Sequence, residues 1–143
     1  RDLDEKAGYY GERAVLEAQI LGLNTCWAGL TYRKVRKAYK RSRGEKLVVV
    51  IALGYGKTQG KNHRSKDMHE VARIGSYVPT WYVDGAEAAL KAPTAMNQQK
   101  FHFEREKNKV RIKAGKGFYT KVDMGIAKLH FEIGSGMDNT VWI

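Results

Sequence analysis

The pattern of apolar and polar positions in residues 7–29 predicts a long helix that ends at Gly22 and continues into a short strand with Cys26 and Trp27. At about 100° per residue the polar positions share one arc of roughly 160°, so the rest of the helix is apolar and needs cover on more than one side. Asp2 followed by Glu5 is typical of a capping box, and Gly22 lies where a left-handed residue ends a helix. The polar arc consists of Glu5, Lys6, Glu12, Arg13, Glu17 and Gln19.

Two further segments follow before the middle of the chain. Residues 32–43 place Tyr32, Val35, Ala38 and Tyr39 at helical spacing among many Lys and Arg residues, which predicts a short amphipathic helix with a basic face. That face could bind nucleic acid, but a solvated face explains it more simply, because the apolar stripe is sufficient reason for a helix. The continuous apolar run 47–53 predicts a central strand covered by helices on both faces.

The second half of the chain predicts three helices and a hairpin. The helices span residues 66–72, with Ser65 as N-cap, residues 79–91, which residues 92–93 terminate, and residues 120–133. Alternating apolar positions in 101–104 and 110–114, joined by a turn at 107–108, predict an antiparallel hairpin, and residues 140–143 add an edge strand. We therefore predict a single α+β domain with a mixed or antiparallel sheet flanked by helices around the long first helix.

Composition narrows the class of protein. The chain has 143 residues, a net charge of +11 and one cysteine, Cys26. A lone cysteine in an apolar run suggests a buried thiol used for packing in a reducing compartment, and no apolar run approaches the ~20 residues of a membrane span. We expect a soluble cytoplasmic protein with anionic partners and no membrane association. Because the chain opens almost directly on a long helix, we also expect that an upstream segment is missing.

The spacing of the serines, the cysteine and the histidines does not support a hydrolytic site or a metal site. The serines lack a histidine and an acid at a convincing position, and Cys26 has no histidine or helix N-terminus placed to activate its thiol. The four histidines lack metal-ligand spacing, so we interpret them as structural. They are His63, His69, His102 and His130.

Two loops carry chemistry that points to a nucleotide-like ligand. We call residues 94–99 the amide loop, because Asn97, Gln98 and Gln99 offer the donors and carbonyls that could read the pyrimidine end of a flavin. We call residues 57–66 the basic loop; it follows the apolar run 47–53 and could hold a phosphate. Its candidate phosphate ligands are Lys61, Arg64 and Lys66.

Several motifs together resemble the nitroreductase family. They are Gly-Leu-Asn-Thr-Cys-Trp at 22–27, Val-Ile-Ala-Leu-Gly-Tyr-Gly at 50–56, Ala-Pro-Thr-Ala-Met-Asn-Gln-Gln at 92–99, Tyr-Tyr-Gly-Glu at 9–12 and Asp-Met-Gly-Ile-Ala at 123–127. The family's N-terminal Arg-rich motif is absent, and the amide loop follows the Gly-Tyr-Gly strand instead of preceding it. This order resembles a divergent branch in which one chain carries both halves of the site.

The resemblance implies a nitroreductase-like fold and an FMN-dependent enzyme. Such enzymes move a hydride from NAD(P)H to nitroaromatic, quinone or similar acceptors, and the flavin supplies the chemistry, so no catalytic side chain is needed. Thr94, Asn97 and Gln99 would then contact the flavin, and Lys61, Arg64 and Lys66 its phosphate. A homodimer is a weaker expectation. Two alternatives stay open, a basic nucleic-acid-binding module and a cofactor-free interaction domain.

Overall fold

A computed structural model describes residues 2–143, with Arg36 described by its backbone alone. The helices are α1 (Leu3–Ile20), α2 (Met68–Val71), α3 (Thr80–Ala89) and α4 (Thr120–Ser135). The strands are β1 (Asn24–Ala28), β2 (Val50–Gly54), β3 (Phe101–Glu106) and β4 (Lys109–Ala114). Within the described residues β1 pairs with β2 and β3 with β4, both antiparallel, in two separate sheets. The α+β class and the antiparallel pairing are confirmed.

The ends of α1 agree with the signals in the sequence. Asp2 is the N-cap, and its carboxylate accepts a hydrogen bond from the Asp4 amide at 3.2 Å. Glu5 does not complete a capping box; its carboxylate binds Lys128 of α4 at 2.5 Å. Gly22 has a φ of +75°, the left-handed conformation that favours glycine. The helix therefore begins and ends close to the predicted positions.

α1 and α4 cross in backbone contact. A Cβ atom at Gly8 would lie 2.0 Å from the Val122 carbonyl oxygen, and one at Gly125 would lie 1.9 Å from the Glu5 carbonyl oxygen. Each helix thus places a glycine against the main chain of the other. Side chains larger than hydrogen at these two positions would force the axes apart.

The main core lies between α3, α4 and the β3–β4 hairpin. Tyr82, Phe103 and Phe131 are fully buried there, and the Phe103 and Phe131 ring centroids are 4.9 Å apart. The Tyr82 hydroxyl donates to the Phe103 carbonyl at 2.8 Å, so the buried phenol is satisfied. Burial raises the pKa of Tyr82 to about 12. The hairpin is therefore attached to the helices by both packing and hydrogen bonding.

α1 is covered on two sides, as predicted, but its buried positions differ from the predicted ones. Tyr10, Ile20 and Leu21 are exposed, whereas Glu12, which the periodicity placed on the polar arc, is 1% exposed. α4 packs on Gly8, and the β1–β2 ribbon packs on Gly11, where a Cβ would lie 2.5 Å from the Trp27 ring. Glycines and the buried Glu12 therefore define the covered faces instead of large apolar side chains. The helical wheel therefore misassigned the buried face.

The apolar run 47–53 does not form a central strand. β2 begins at Val50 and, among residues 2–143, pairs only with β1, and Leu53 is 60% exposed. Cys26, opposite Ala52 in this pairing, is also exposed, so the expected packing role of its thiol is wrong. A two-stranded ribbon has one face against the helices and one face open, which continuous apolarity did not reveal.

The predicted basic helix 32–43 is reduced to a 3₁₀ turn at Arg36–Ala38. Val35 and Ala38, in the middle of its apolar stripe, are exposed, and Tyr32 and Tyr39 at its ends are only partly buried, so little packing stabilises a helix here. Isolated helices of this length are marginal in water, and closely spaced like charges weaken them further. The prediction is wrong because it assumed a packing partner.

Two smaller boundaries also differ. The helix predicted at 66–72 begins at Met68, because Asp67 is its N-cap and forms a capping box with Glu70, while Ser65 donates instead to the Leu90 carbonyl. The tail forms a 3₁₀ turn, Asn139–Val141, followed by a single bridge to β4. Among the described residues no helix is long and apolar enough to cross a membrane.

Replacing Gly125 with alanine tests the backbone crossing. Because the new Cβ would meet the Glu5 carbonyl, we expect Gly125→Ala to lower the free energy of unfolding by about 2 kcal/mol or more. Gly60→Ala, where a Cβ meets nothing within 4 Å, is the matched control and should change it by less than about 0.5 kcal/mol. Urea denaturation measures both, and equal effects would contradict a tight crossing.

Candidate functional site

The structure brings the amide loop and the end of the basic loop together. The Asn97 Nδ2 and Gln99 Nε2 atoms both donate to the Arg64 carbonyl at 2.9 Å. The Lys66 amide donates in return to Gln99 Oε1, also at 2.9 Å. Segments more than 30 residues apart in the chain, which the sequence singled out separately, therefore form one structural unit.

Gln99 joins the two loops from inside. Its side chain is buried, at 2% exposed, and its amide donates to both the Arg64 carbonyl and Asn97 Oδ1. Its backbone N–H donates to Thr94 Oγ1 at 3.1 Å. Both amide protons of the side chain are therefore used within the protein. Gln99 fixes the shape of the loop and has no donor left for a ligand.

The amide loop has a strained backbone. Met96, Asn97 and Gln99 have φ values of 52°, 52° and 43°, in the left-handed region that residues other than glycine rarely adopt. Such conformations cost on the order of 1–3 kcal/mol each and persist only when the surroundings impose them. The hydrogen bonds to Arg64 and Thr94 supply part of that constraint.

Asp123, on the first turns of α4, supplies the rest of the support. One carboxyl oxygen accepts from the Ala95 amide at 2.9 Å and the other from Gln98 Nε2 at 2.6 Å. The side chain is 2% exposed, and this burial raises the pKa of the Asp123 carboxyl above its usual 3.8. Gln98 is thus committed to α4, and the amide loop is held from both sides.

One side of the amide loop faces an open concave surface, which we call the basic concavity. The Lys66 ammonium donates to the Gln99 carbonyl at 3.3 Å, while Arg64 is exposed and its guanidinium forms no ion pair or hydrogen bond within residues 2–143. Lys61 does not line this surface. The lining residues are Arg64, Ser65, Lys66, Asp67, Glu70, Asn97 and Gln99.

The opposite side of the amide loop borders a cavity of about 170 Å³, which we call the Trp27 cavity. Its walls come from β1, from the residue preceding β2, from the amide loop and from α4. Its lining residues are Trp27, Gly29, Val49, Pro93, Thr94, Ala95, Met96, Tyr119, Val122, Asp123 and Ile126.

Trp27 is oriented by a buried carboxylate. Its indole Nε1–H donates to Glu12 at 3.2 Å, and the other oxygen of Glu12 lies 2.8 Å from His130 Nε2. Sequence reasoning placed Glu12 in solvent and left His130 without a partner. The signal that could have found the pair is the need of a half-buried indole and imidazole for an acceptor.

Tyr119 forms another fixed wall of the cavity. Its hydroxyl donates to the Gly29 carbonyl at 2.9 Å, and its φ of 58° is again left-handed. A Cβ at Gly29 would lie 2.7 Å from the ring, so the phenol packs directly on the glycine. The shape of the cavity therefore depends on Gly29, which directly follows β1, and on Tyr119, which has a strained backbone and directly precedes α4.

Two of the other histidines lie beside main-chain carbonyl groups. His63 lies 2.9 Å from the Leu90 carbonyl, and His102 lies 3.3 Å from the Glu70 carbonyl. In the part of the chain that the structure describes, no group of three or more His, Cys, Asp or Glu residues is arranged to hold a metal ion.

Comparison with known proteins identifies the class. A family model described as "Putative TM nitroreductase" matches residues 1–135, and the chain belongs to this nitroreductase family. A crystal structure described as a "putative nitroreductase" from Thermotoga maritima MSB8 is similar over 93% of the chain, with 23% identity and a TM-score of 0.73. The nitroreductase-like fold is thereby confirmed. A comparison with curated proteins finds no match.

The similarity covers only part of that relative. The chain spans about half of its length, 55% of the solved chain. Membership of the family supports a general oxidoreductase role.

Asp123→Asn should change how stability depends on pH. Because burial raises the pKa of Asp123, the folded chain keeps this proton to a higher pH than the unfolded chain. The carboxyl therefore loses stabilising effect as pH rises from 3.8 through its raised folded pKa. The free energy of unfolding of the wild type minus that of Asp123→Asn should fall across this window, as urea denaturation at a series of pH values would show. A pH-independent difference would contradict it.

Gln99→Leu should release the two loops from each other. Removing the amide leaves the Lys66 N–H without its acceptor, which we expect to cost about 2–3 kcal/mol and to speed hydrogen exchange at that amide. Gln59→Leu, at an exposed glutamine bonded only to Asn24, is the control and should leave both unchanged. Protection at Lys66 equal to the wild type would show that Gln99 is not the link.

Proposed function

We propose that the chain belongs to an FMN-dependent oxidoreductase that transfers a hydride from NAD(P)H to a nitroaromatic, quinone or similar acceptor. The observation that carries this proposal is the convergence of the amide loop on Arg64 and Lys66, with hydrogen bonds of 2.9 Å. A flavin nucleotide needs a cation for its phosphate and an amide for its ring on one surface, and Arg64, Lys66 and Asn97 all line the basic concavity, which supports the proposal. Family membership supports the same class of activity.

The residues present fit the phosphate end of FMN. Arg64 offers a planar guanidinium suited to bidentate phosphate binding, and Lys66 lies beside it in the same concavity. Asp67 and Glu70 line the same surface and oppose an anion there, but both carboxylates accept main-chain N–H groups in the capping box of α2. We assign the phosphate to Arg64 and Lys66. Lys61, on the same loop but outside the concavity, would add only long-range attraction.

The amide loop fits the flavin through Asn97. Its Nδ2 uses one proton for the Arg64 carbonyl, and its Oδ1 accepts one bond from Gln99, so one donor and one acceptor direction remain. Asn97 is exposed and is therefore available to a ligand. We assign Asn97 to the ring or ribityl chain, and Gln99 to shaping the loop that presents it. Thr94 lines the Trp27 cavity on the opposite side of the loop, so the role that we propose for it is to hold the Gln99 amide through its hydroxyl.

Bound FMN would supply the hydride transfer itself, which is why the site needs no acid–base pair. The side chains described here bind and orient. Both loops lie in one chain, so this proposal does not require a second copy to complete the concavity. A nucleic-acid-binding role is not favoured, because the helix that would have presented the basic face is not formed.

Arg64→Ala separates phosphate binding from ring binding. A charge-assisted hydrogen bond contributes about 1.5–3 kcal/mol, so we expect Arg64→Ala to weaken FMN more than about ten-fold and to leave riboflavin, which has no phosphate, almost unchanged. Asn97→Ala should weaken both flavins alike. Isothermal titration of each flavin measures the two effects.

Lys61→Ala is the matched control, because it removes a cation from the same loop but outside the concavity. It should weaken FMN by less than about three-fold, as expected for a screened surface charge. Equal losses of FMN and riboflavin in Arg64→Ala would contradict the phosphate assignment. A colourless protein that also ignores added FMN would overturn the proposed function.

A further inference from the structure

A short segment of the chain carries most of its positive charge. Residues 33–46, which we call the polybasic segment, contain eight Lys or Arg residues and one acid, Glu45, and therefore hold +7 of the net charge of +11. The structure describes the side chains of seven of these cations, and all seven are exposed. Of the seven, only Lys46 forms an ion pair within residues 2–143, with Asp4 at 2.8 Å. Such a concentration of unpaired positive charge favours an anionic partner.

Exposed apolar side chains lie beside these cations. Leu30 and Phe118 are 76% and 70% exposed, and both line a groove whose wall also includes Lys46. Lys46 in turn lines an adjoining groove with Lys34. Val35, next to Lys34 in the chain, is 54% exposed. The cations and the apolar side chains thus form one continuous surface, which we call the basic apolar surface.

The acids beside this surface do not neutralise it. Asp4 is paired with Lys46, and Asp2 is paired with Lys121 at 2.6 Å, so each of these acids is offset by its own lysine. Glu45, the acid within the polybasic segment, accepts a hydrogen bond from a main-chain amide of the same segment at 2.7 Å. The attraction for an anionic partner therefore remains.

The apolar side chains decide between two kinds of anionic partner. A single-stranded nucleic acid is held by cations at its phosphates and by aromatic rings that stack on its bases. Here Leu30 and Val35 are aliphatic and offer no face for stacking, while Tyr32 and Tyr39 are partly buried. The surface of a bilayer attracts Lys and Arg to anionic headgroups and accepts apolar side chains between them. The bilayer therefore uses both features of the surface.

We propose that the basic apolar surface binds the face of an anionic phospholipid bilayer, with its cations at the headgroups and Leu30, Val35 and Phe118 at the acyl boundary. The sequence predicted no membrane association because no apolar run is long enough to cross a bilayer, a criterion that does not apply to surface binding. The surface shares no residue with the basic concavity. The proposal therefore does not rest on the proposed function.

Co-sedimentation of the full chain with phospholipid vesicles tests the partner. At about 0.1 M salt, where charges act over about 10 Å, the chain should sediment with vesicles of three parts phosphatidylcholine to one part phosphatidylserine and stay in solution with phosphatidylcholine alone. Equal binding to both vesicles, or to neither, would overturn the proposal. Binding of a single-stranded RNA without binding to the anionic vesicles would instead assign the surface to nucleic acid.

Charge variants test the location. Lys34→Glu combined with Arg41→Glu should weaken binding to the anionic vesicles at least ten-fold, because each cation near an anionic bilayer contributes about five-fold. Lys57→Glu combined with Lys61→Glu is the matched control, since it changes the net charge equally but lies on the basic loop, at the other end of β2. The control should weaken binding by less than about three-fold, as expected for screened charges. Equal losses in the two double variants would overturn the location.

Leu30→Ser combined with Phe118→Ser tests the apolar contacts. This variant should weaken binding to the anionic vesicles at least five-fold and leave retention on a heparin column, which depends on the cations, unchanged. Both side chains are exposed, so we expect the variant to fold, as circular dichroism would report. If it does not fold, Val35→Ser takes its place. Vesicle binding equal to that of the wild type in the folded variant would overturn the assignment to a bilayer.

Discussion

The contact between α1 and α4 is the constraint on which the rest of the structure depends. Because glycines bring the two backbones together, carboxylates on each helix reach donors on the other: Tyr9 donates to Glu132 at 2.6 Å, and Glu12 lies 2.8 Å from His130. Glu12 and Glu132 are 1% and 8% exposed, and buried carboxylates are tolerated only with such partners. Separating the helices would therefore expose or orphan charges as well as lose packing.

The geometry of the candidate site depends on this contact between α1 and α4. α4 presents Asp123 to the amide loop, and α1 presents Glu12 to Trp27, so the two helices set opposite walls of one cavity. The left-handed residues of the amide loop then aim Asn97 at the neighbouring basic concavity. Rigid helices hold a strained loop, and the loop in turn divides two ligand-sized spaces of different polarity.

The sequence correctly predicted the elements whose signals lie within the element itself. Gly22, the β3–β4 alternation and the C-terminal helix all appear close to their predicted positions. Features that depend on a distant partner were not predicted. Glu12 was assigned to solvent because its acceptor role needs Trp27 and His130. The predicted 32–43 helix is not formed because most of its apolar stripe stays exposed. The two loops were found as motifs, but their joining through Gln99 follows only from the tertiary structure.

The α1–α4 contact also has a consequence for biosynthesis. Glu12 and His130 are 118 positions apart, so a ribosome making the chain from its N-terminus completes the first helix long before its partner. Contacts of such sequence separation slow folding, because a long loop must close before they form. The glycine face of α1 therefore stays uncovered until the residues of α4 have been synthesised and have left the ribosome.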